Sequence, residues 1–449
     1  NSSPRLDFLN LFTFFRDQTI DVFLSSHLAD SLDDHKVKKL LLRSRASQKI
    51  SEIKKKRKIS AGLFKNLFSL AQIEQHLDSL RVVGDNENDS FPAKLPLTDD
   101  FLRLVGYYLA EGYINNNDVR ITNQHPQVLK DIITTVKKMN LSFFYTHDSQ
   151  NKKVINGVAI SSSLLAHLLV AIGLGNGEDQ KSLPSFIFDL SNEQISQLLK
   201  AYFEGDGSIY LQGKKRSYEI SVTSKSKNLI SQLSYILLRF QIFSRITNSR
   251  KRATNSDHSG EIYYTLIMSG KSNVQAYLNK IGFVTKGKNI SLDYVENTNL
   301  DLIPLSPQFF FEIRVKLGFT RVELAKLCDC SSRMIFAVEK GRRRVSRTLM
   351  EQVLTAFEQK VQRLKLPLDC LDDFKKLLSL KWDRIKKVTK VNYGKDYVYD
   401  FSVKDNETFL AGLGGLFVHN SNLMSCMLWG VAGNTYAGML VLDPHDEYY

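Results

Sequence analysis

Apolar residues through the middle of the chain follow two periods in turn, and that order of periods occurs twice. Residues 104–114 (LVGYYLAEGYI) start as an apolar helical run that ends in an acid and a glycine, Glu111-Gly112. A short strand at 119–124 follows, then a helix whose Val128, Leu129, Ile132, Ile133 and Val136 share one face. Strands at 142–148 and 154–161 lead to a helix ending in Ile-Gly-Leu at 172–174. The second pass opens with LLKAYFEGDGSIYL (198–211), whose acid–glycine pair, Asp206-Gly207, lies 95 residues after the first. A strand at 218–224, a helix carrying Leu229, Ile230, Leu233, Ile236, Leu237 and Phe240, strands at 244–250 and 262–269, and a helix ending in Ile-Gly-Phe at 281–283 complete it. The pattern predicts an α+β fold with a duplicated α–β–β–α–β–β–α unit.

Outside the duplication the period changes again. Residues 308–357 are helical by spacing, with RVELAKLC (321–328), a DCSS turn and RMIFAVEKGRRR (333–344). From 381 to 420 the chain turns β-like, with VYDFSV (398–403), a KDNET turn and FLAGLGGLFVHN, and residues 421–449 follow as a helix, a loop and a strand.

With 449 residues the chain has room for two to four domains. No apolar run reaches the roughly 18 residues of a membrane span, so no membrane role is expected. Four cysteines cannot build a disulfide framework, which points to a reducing, cytoplasmic setting. The net charge of +14 suggests a polyanionic partner. Residues 36–58 carry net +10 and residues 314–347 net +7, leaving −3 for everything else. Two basic blocks around a neutral middle fit double-stranded DNA best.

LVGYYLAEG and LKAYFEGDG, with their spacing and the elements after them, resemble the two motifs of a two-repeat LAGLIDADG homing endonuclease. The resemblance covers roughly 200 residues. The first motif departs from the name pattern at Tyr107, Tyr108 and Leu109 and ends in Glu111 rather than Asp. It implies a monomer with two pseudo-symmetric repeats whose curved strands form a saddle reaching into the major groove. Small residues Gly106, Ala110, Ala201 and Gly205 would let the motif helices approach along the repeat axis. Glu111 and Asp206 would then face each other and bind Mg²⁺, which activates water and stabilises both oxygens of a phosphodiester displacement. Lys181, and Lys286 or Lys288, would assist, with Lys288 taken as the second catalytic lysine. Two other readings stand beside this one: acids that merely end helices before glycine, and a degenerate copy that binds DNA without cutting it.

Residues 305–364 resemble a Cro/repressor-type helix-turn-helix, including Glu339 and Gly341. Ser331 or Ser332 would cap the second helix, Arg333 would read a base edge, and Arg342, Arg343, Arg344 and Arg347 would hold phosphates. Cys328 and Cys330 fall short of a four-ligand set, and no metal is assigned to them.

VYDFSV followed by the Gly-rich strand and His419-Asn420-Ser421 resembles the C-terminal splicing blocks of inteins, a β-rich (Hint) segment over 375–420. Homing endonucleases are commonly nested in inteins. The resemblance implies that Asn420 cyclises and cleaves the bond to Ser421, that His419 acts as general acid, and that Ser421 is the accepting nucleophile. Asp400 stands where a catalytic acid is often found, and Glu407, where many members have histidine, has at most a weak role. No T-x-x-H occurs in the first hundred residues and the chain begins at Asn1, so a missing N-terminal intein half is expected as partner. Residues 421–449 resemble the segment after the phosphate-binding loop of HerA-like DNA translocases, an ATPase extein in which Ser421 would complete GK[ST]. The expected domains are a basic linker or DNA-contact region (1–95), the endonuclease (96–298), the helix-turn-helix (305–364), the splicing segment (375–420) and the host fragment (421–449).

Overall fold

The computed structural model describes residues 6–15, 20–44, 49–84, 88–212, 217–251, 260–287, 290–292, 301–365, 371–383, 385, 387–390, 394, 401, 403 and 408–419. The chain divides into two compact units, one formed by residues up to 292 with those from 401 onward, the other by 293–400.

Both repeats have the expected element order. The first runs from a motif helix, Asp99–Glu111, through strands Gly112–Asn115 and Asp118–Thr122, helix Pro126–Lys138, strands Phe143–His147 and Ile155–Ser161, to helix Ser163–Ala171. The second runs from Asn192–Gly205 through Ser208–Gln212, Ser217–Ser224, Lys227–Leu238, Arg245–Lys251 and Glu261–Ser269 to Lys271–Lys280. Each sheet is antiparallel and has the same permuted order, with the fourth strand inserted between the second and third. Local sequence sets the helix starts: Thr98 accepts from the Phe101 amide, and Ser191 forms a capping box with Gln194.

One core runs under both repeats. Leu104, Val105, Tyr107 and Tyr108 from the first motif helix and Leu198, Leu199, Tyr202 and Phe203 from the second are almost fully buried in it. The amphipathic helices found by spacing close the back of each sheet, with Val128, Ile132 and Val136 buried in one and Leu229, Leu233 and Leu237 in the other. Strand faces away from these helices leave Tyr113, Phe144 and Tyr210 exposed.

The N-terminal region is folded, which corrects its reading as a linker. Strands Lys58–Ser60, Asp21–Phe23, Arg81–Val83 and Ser90–Pro92 form an antiparallel sheet in that order. Short helices surround it, and its Val22, Ile53, Ile59, Phe64 and Val82 belong to the same core as the repeats. Two latches fasten it. The buried Asp89 carboxylate accepts from the Ser163 hydroxyl at 3.2 Å, the Leu164 amide at 3.0 Å and the Ser162 hydroxyl, at the start of helix Ser163–Ala171. Gln194 donates to the Leu6 carbonyl at 3.0 Å, and the Leu6 amide donates to Asp189 O at 3.1 Å. The basic stretch lies on helices Asp34–Ser44 and Ile50–Lys56, where Lys38, Lys39, Arg43, Lys55 and Lys56 are exposed.

The second unit is mainly helical: Pro307–Lys316, Arg321–Leu327, Ser332–Glu339, Arg347–Leu364 and Asp372–Ser379, with a two-residue strand pair, Leu302–Ile303 against Val345–Ser346. The Gly-rich stretch near the C-terminus is the turn of a hairpin, Thr408–Ala411 with Leu416–His419, rather than a strand. Gly412, Gly414 and Gly415 in that turn have positive φ, as the reversal requires. The Tyr235 hydroxyl donates to Gly412 O at 2.7 Å, seating the turn on helix Lys227–Leu238. Among the described residues no helix is long and apolar enough to cross a membrane.

Candidate active site at the crossing of the motif helices

The two motif helices touch where side chains are smallest. A Cβ placed on Gly106 would sit 2.3 Å from the Leu198 carbonyl oxygen and 2.9 Å from Ala201 Cβ. One placed on Gly205 would sit 2.5 Å from Ala110 Cβ and 3.3 Å from Glu111 Cγ. That last approach sets Glu111 of the first helix against the residue before Asp206 of the second. Gly112 and Gly207, one after each acid, lie equally close to the preceding helical turn, at Tyr108 and Phe203. The acids therefore converge at the helix ends because both copies keep small residues at the crossing.

Each acid has a lysine from its own repeat. Lys181 Nζ donates to Ala110 O at 2.9 Å. Lys286 Nζ donates to Gly207 O at 2.6 Å and Gly205 O at 3.1 Å. Both ammonium groups thus bind helix-end carbonyls beside a carboxylate, where the helix dipole favours a cation. Of the two candidate lysines in the second repeat, Lys286 occupies this place; Lys288 lies outside the described residues.

The four charges perturb one another. Asp206 is pushed up from 3.8 to about 7, chiefly by burial and then by the Glu111 charge, with both lysines opposing. Glu111 is raised by burial, again against Lys181 and Lys286. Burial lowers both lysines, and both acids pull them back up. Asp206 nevertheless remains exposed and Glu111 half-buried, so the shift arises from surrounding protein rather than from a sealed cavity. No hydrogen bond to either carboxylate is formed among the described residues, and their oxygen lone pairs are left for a ligand. No group of three or more His, Cys, Asp or Glu side chains placed to hold a metal ion occurs among the described residues.

The lysine loops are held differently. In the first repeat, the Tyr108 hydroxyl donates to Gly175 O at 2.8 Å and the Ile114 amide donates to Asn176 Oδ1 at 2.9 Å. In the second, the buried Glu204 carboxylate collects the amides of Val284 at 2.8 Å and Thr285 at 3.0 Å, together with the Thr285 hydroxyl. The sequence reading missed Glu204. Its signal was visible, since an acid stands where the first copy has Leu109.

In the second unit Ser331 caps helix Ser332–Glu339 by accepting from the Met334 amide at 3.2 Å. Thr320 and Glu323 form a capping box on Arg321–Leu327. Buried Glu339 pairs with Arg314 and, at 2.6 Å, with Arg321, tying the helices together. That helix ends at Glu339, and Gly341 with φ +66° turns the chain, so the arginines expected on the helix lie beyond it. Arg333, Arg342, Arg343 and Arg344 are exposed. Arg347 differs: it pairs with Asp301 at 2.7 Å and donates to Leu380 O at 2.6 Å and to Leu378 O, which removes it from the expected phosphate contacts. Cys328 is buried, with its thiol pushed up to about 11 by burial. Of the expected splicing residues, Asp400, Asn420 and Ser421 lie outside the described residues, as does Glu407; the His419 backbone ends the hairpin opposite Thr408.

Curated relatives share about three quarters of the chain. It is 25% identical over 345 residues to a DNA-directed RNA polymerase subunit, Rpo1C, of Methanocaldococcus jannaschii, covering 74% of this chain and 37% of the relative. It is 26% identical to a reverse gyrase of the same organism, covering 73% and 19%. A DNA polymerase of Thermococcus aggregans is also 26% identical, with 73% and 15% covered. The chain thus spans well under half the length of these relatives. Among solved structures, the homing endonuclease I-DmoI in complex with DNA and calcium aligns with a TM-score of 0.29 at 14% identity, over 41% of this chain and 90% of that one. Residues 193–282, from the second motif helix through the last helix of that repeat, match the LAGLIDADG-like domain.

Proposed function

We propose that the chain is a site-specific DNA endonuclease that cuts both strands of a double-stranded target by phosphodiester hydrolysis. The observation that carries this is the meeting of Glu111 and Asp206 at the helix crossing, each beside a lysine fixed on helix-end carbonyls. Two nearby carboxylates with raised pKa values and no hydrogen-bonded partner among the described residues suit a hard divalent cation, Mg²⁺ by the resemblance, completed by phosphate oxygens and water. Such an ion, when bound, activates water and offsets charge on the phosphate oxygens. The protein's own groups do the rest. The paired acids fix where negative charge accumulates, and the pseudo-two-fold arrangement addresses one strand per repeat within a monomer. Lys181 and Lys286, whose charged form burial disfavours and the neighbouring acids favour, stand where they would assist the attacking water or steady phosphate charge. Tyr113, Phe144 and Tyr210 would face the DNA grooves from the open strand faces.

Exposed Arg333, Arg342, Arg343 and Arg344, with the capped helix pair of the second unit, support a second DNA contact, one base-reading and three phosphate-holding. The basic helices of the N-terminal region support a third.

The relatives favour one more role. An RNA polymerase subunit, a reverse gyrase and a DNA polymerase are differently named proteins, yet about three quarters of this chain matches part of each. A mobile insertion accounts for that, and the hairpin leading to His419-Asn420-Ser421 supports an intein C-terminal half. Asn420 would cyclise, His419 would protonate the leaving amine, Ser421 would accept the upstream segment, Asp400 would assist, and an N-terminal half would be the partner. Residues 421–449 would be host sequence of a HerA-like ATPase. Mass spectrometry tests this: loss of the tail from the parent but not from Asn420→Ala supports it, and equal loss from both refutes it.

Cleavage is assayed on a plasmid carrying the gene that the chain interrupts, with the interruption removed. Parent protein should linearise it in the presence of a divalent cation, whereas Glu111→Gln and Asp206→Asn should not. Full cutting by both variants would refute the assignment, and binding without any cutting by the parent would favour a degenerate DNA-binding protein.

A further inference from the structure

We infer that Glu204 is a positioning residue specific to the second repeat, holding the 283–286 loop so that Lys286 stays beside Asp206. The inference rests on the endonuclease reading and goes beyond it by assigning strand-selective control to a residue that touches no DNA.

Glu204 is 2% exposed and sits on the motif helix two positions before Asp206. A carboxylate at such a site requires donors, because an unpaired buried charge is strongly unfavourable. It finds them in consecutive residues: the Val284 amide at 2.8 Å, the Thr285 amide at 3.0 Å, the Thr285 hydroxyl, and the Lys286 amide at the limit of 3.4 Å. The next atoms along this loop are the Lys286 side chain, whose Nζ bonds the carbonyls on either side of Asp206. One carboxylate thus sets the backbone from which the lysine reaches back to the same helix.

Among the described residues the first repeat has no such clamp. Its equivalent position is Leu109, buried and apolar, and its loop is closed by Tyr108 and Asn176 instead. The loops also differ in length. Seven residues separate Gly173 from Lys181, but three separate Gly282 from Lys286. The short loop has fewer internal contacts to fix it and relies on the carboxylate. Removing the clamp should therefore disturb one lysine and spare the other.

The test is strand-resolved cutting by the full chain of a linear target duplex, with each strand labelled at one end, run beside the supercoiled target plasmid. Parent protein should cut both strands. Glu204→Gln keeps the size of the side chain but replaces one acceptor with a donor facing the amides. It should slow cutting of a single strand about 100-fold, the loss that a displacement near 1 Å can cause, and leave nicked circles. Lys286→Met should slow the same strand, while Lys181→Met should slow the other. Hydrogen exchange gives a readout independent of cutting: the Val284 and Thr285 amides should exchange faster in Glu204→Gln, with amides of the 175–181 loop unchanged. Thr285→Val, which removes only the hydroxyl contact, should show the same strand bias in weaker form. Should Glu204→Gln slow both strands equally, or leave exchange at 284 and 285 unchanged, Glu204 is an ordinary core residue and the inference is wrong. Should the parent cut neither strand while exchange responds as expected, the endonuclease reading fails, and the strand-selective role falls with it. Strand bias in Lys286→Met without any in Glu204→Gln would overturn the positioning role alone.

Discussion

Replacing Asp206 with asparagine should stabilise the protein while abolishing cutting. The folded state holds the Asp206 carboxyl at about 7 against an ordinary value of 3.8. Three units correspond to about 4 kcal/mol at 1.36 kcal/mol per unit. Because Asp206 is exposed, solvent screens much of this, and about 1–2 kcal/mol is the expected share. Between the unfolded and folded values the native state keeps a proton that the unfolded chain has released, so stability falls as pH rises from about 4 to about 7. Above that window the strain is fully present, and below it the strain is absent. In chelator at pH 8, Asp206→Asn should therefore melt about 2–8 °C higher than the parent, taking 2–4 °C per kcal/mol for a unit of this size. At pH 4 the two should coincide. Scanning calorimetry at pH 8, 6 and 4 measures the gap directly. A variant less stable than the parent at pH 8, or a gap independent of pH, would show that the carboxylate is not held against its preference and would undo the electrostatic picture of the site.

Four other variants follow from the geometry. Gly106→Ala should destabilise by about 2–3 kcal/mol in urea titration, because its Cβ meets backbone of the partner helix, and overpacking there exceeds the roughly 1 kcal/mol that alanine gains in helix propensity. Asp89→Ala should cost about 2–3 kcal/mol by the same measurement, since it strips a charged cap from helix Ser163–Ala171 and loosens the N-terminal latch. Changing Arg342, Arg343 and Arg344 together to alanine should weaken DNA binding and reduce the salt slope of log affinity by about 2.7. Arg347→Ala should leave that slope unchanged and instead lower the melting temperature, because its partners are Asp301 and two backbone carbonyls.

What the sequence revealed and what it hid follow from the range of the interactions. Both repeats were legible because the amphipathic helices and strands are long enough to display their periods, as with Val128, Ile132 and Val136. Glu111 and Asp206 were legible because the duplication supplied two copies to align. The N-terminal fold was not, since its strands are three residues each, too short to show alternation. Asp89, in the run DNENDS, looks like any loop acid until helix Ser163–Ala171 is brought to it across more than 70 residues. Arg347 reads as part of a basic cluster, yet Asp301, 46 residues away, claims it. Gly341 carried a local signal for ending the helix before the arginines, and the run of positive charge obscured it.

The most direct measurement is the cutting of a plasmid bearing the uninterrupted target, with and without a divalent cation, by the parent, Glu111→Gln and Asp206→Asn. Linear product from the parent with metal, none with chelator, and none from either variant is the expected result. Metal-independent cutting, or linear product from both variants at the parent's rate, would contradict the claim that these two carboxylates form the catalytic centre.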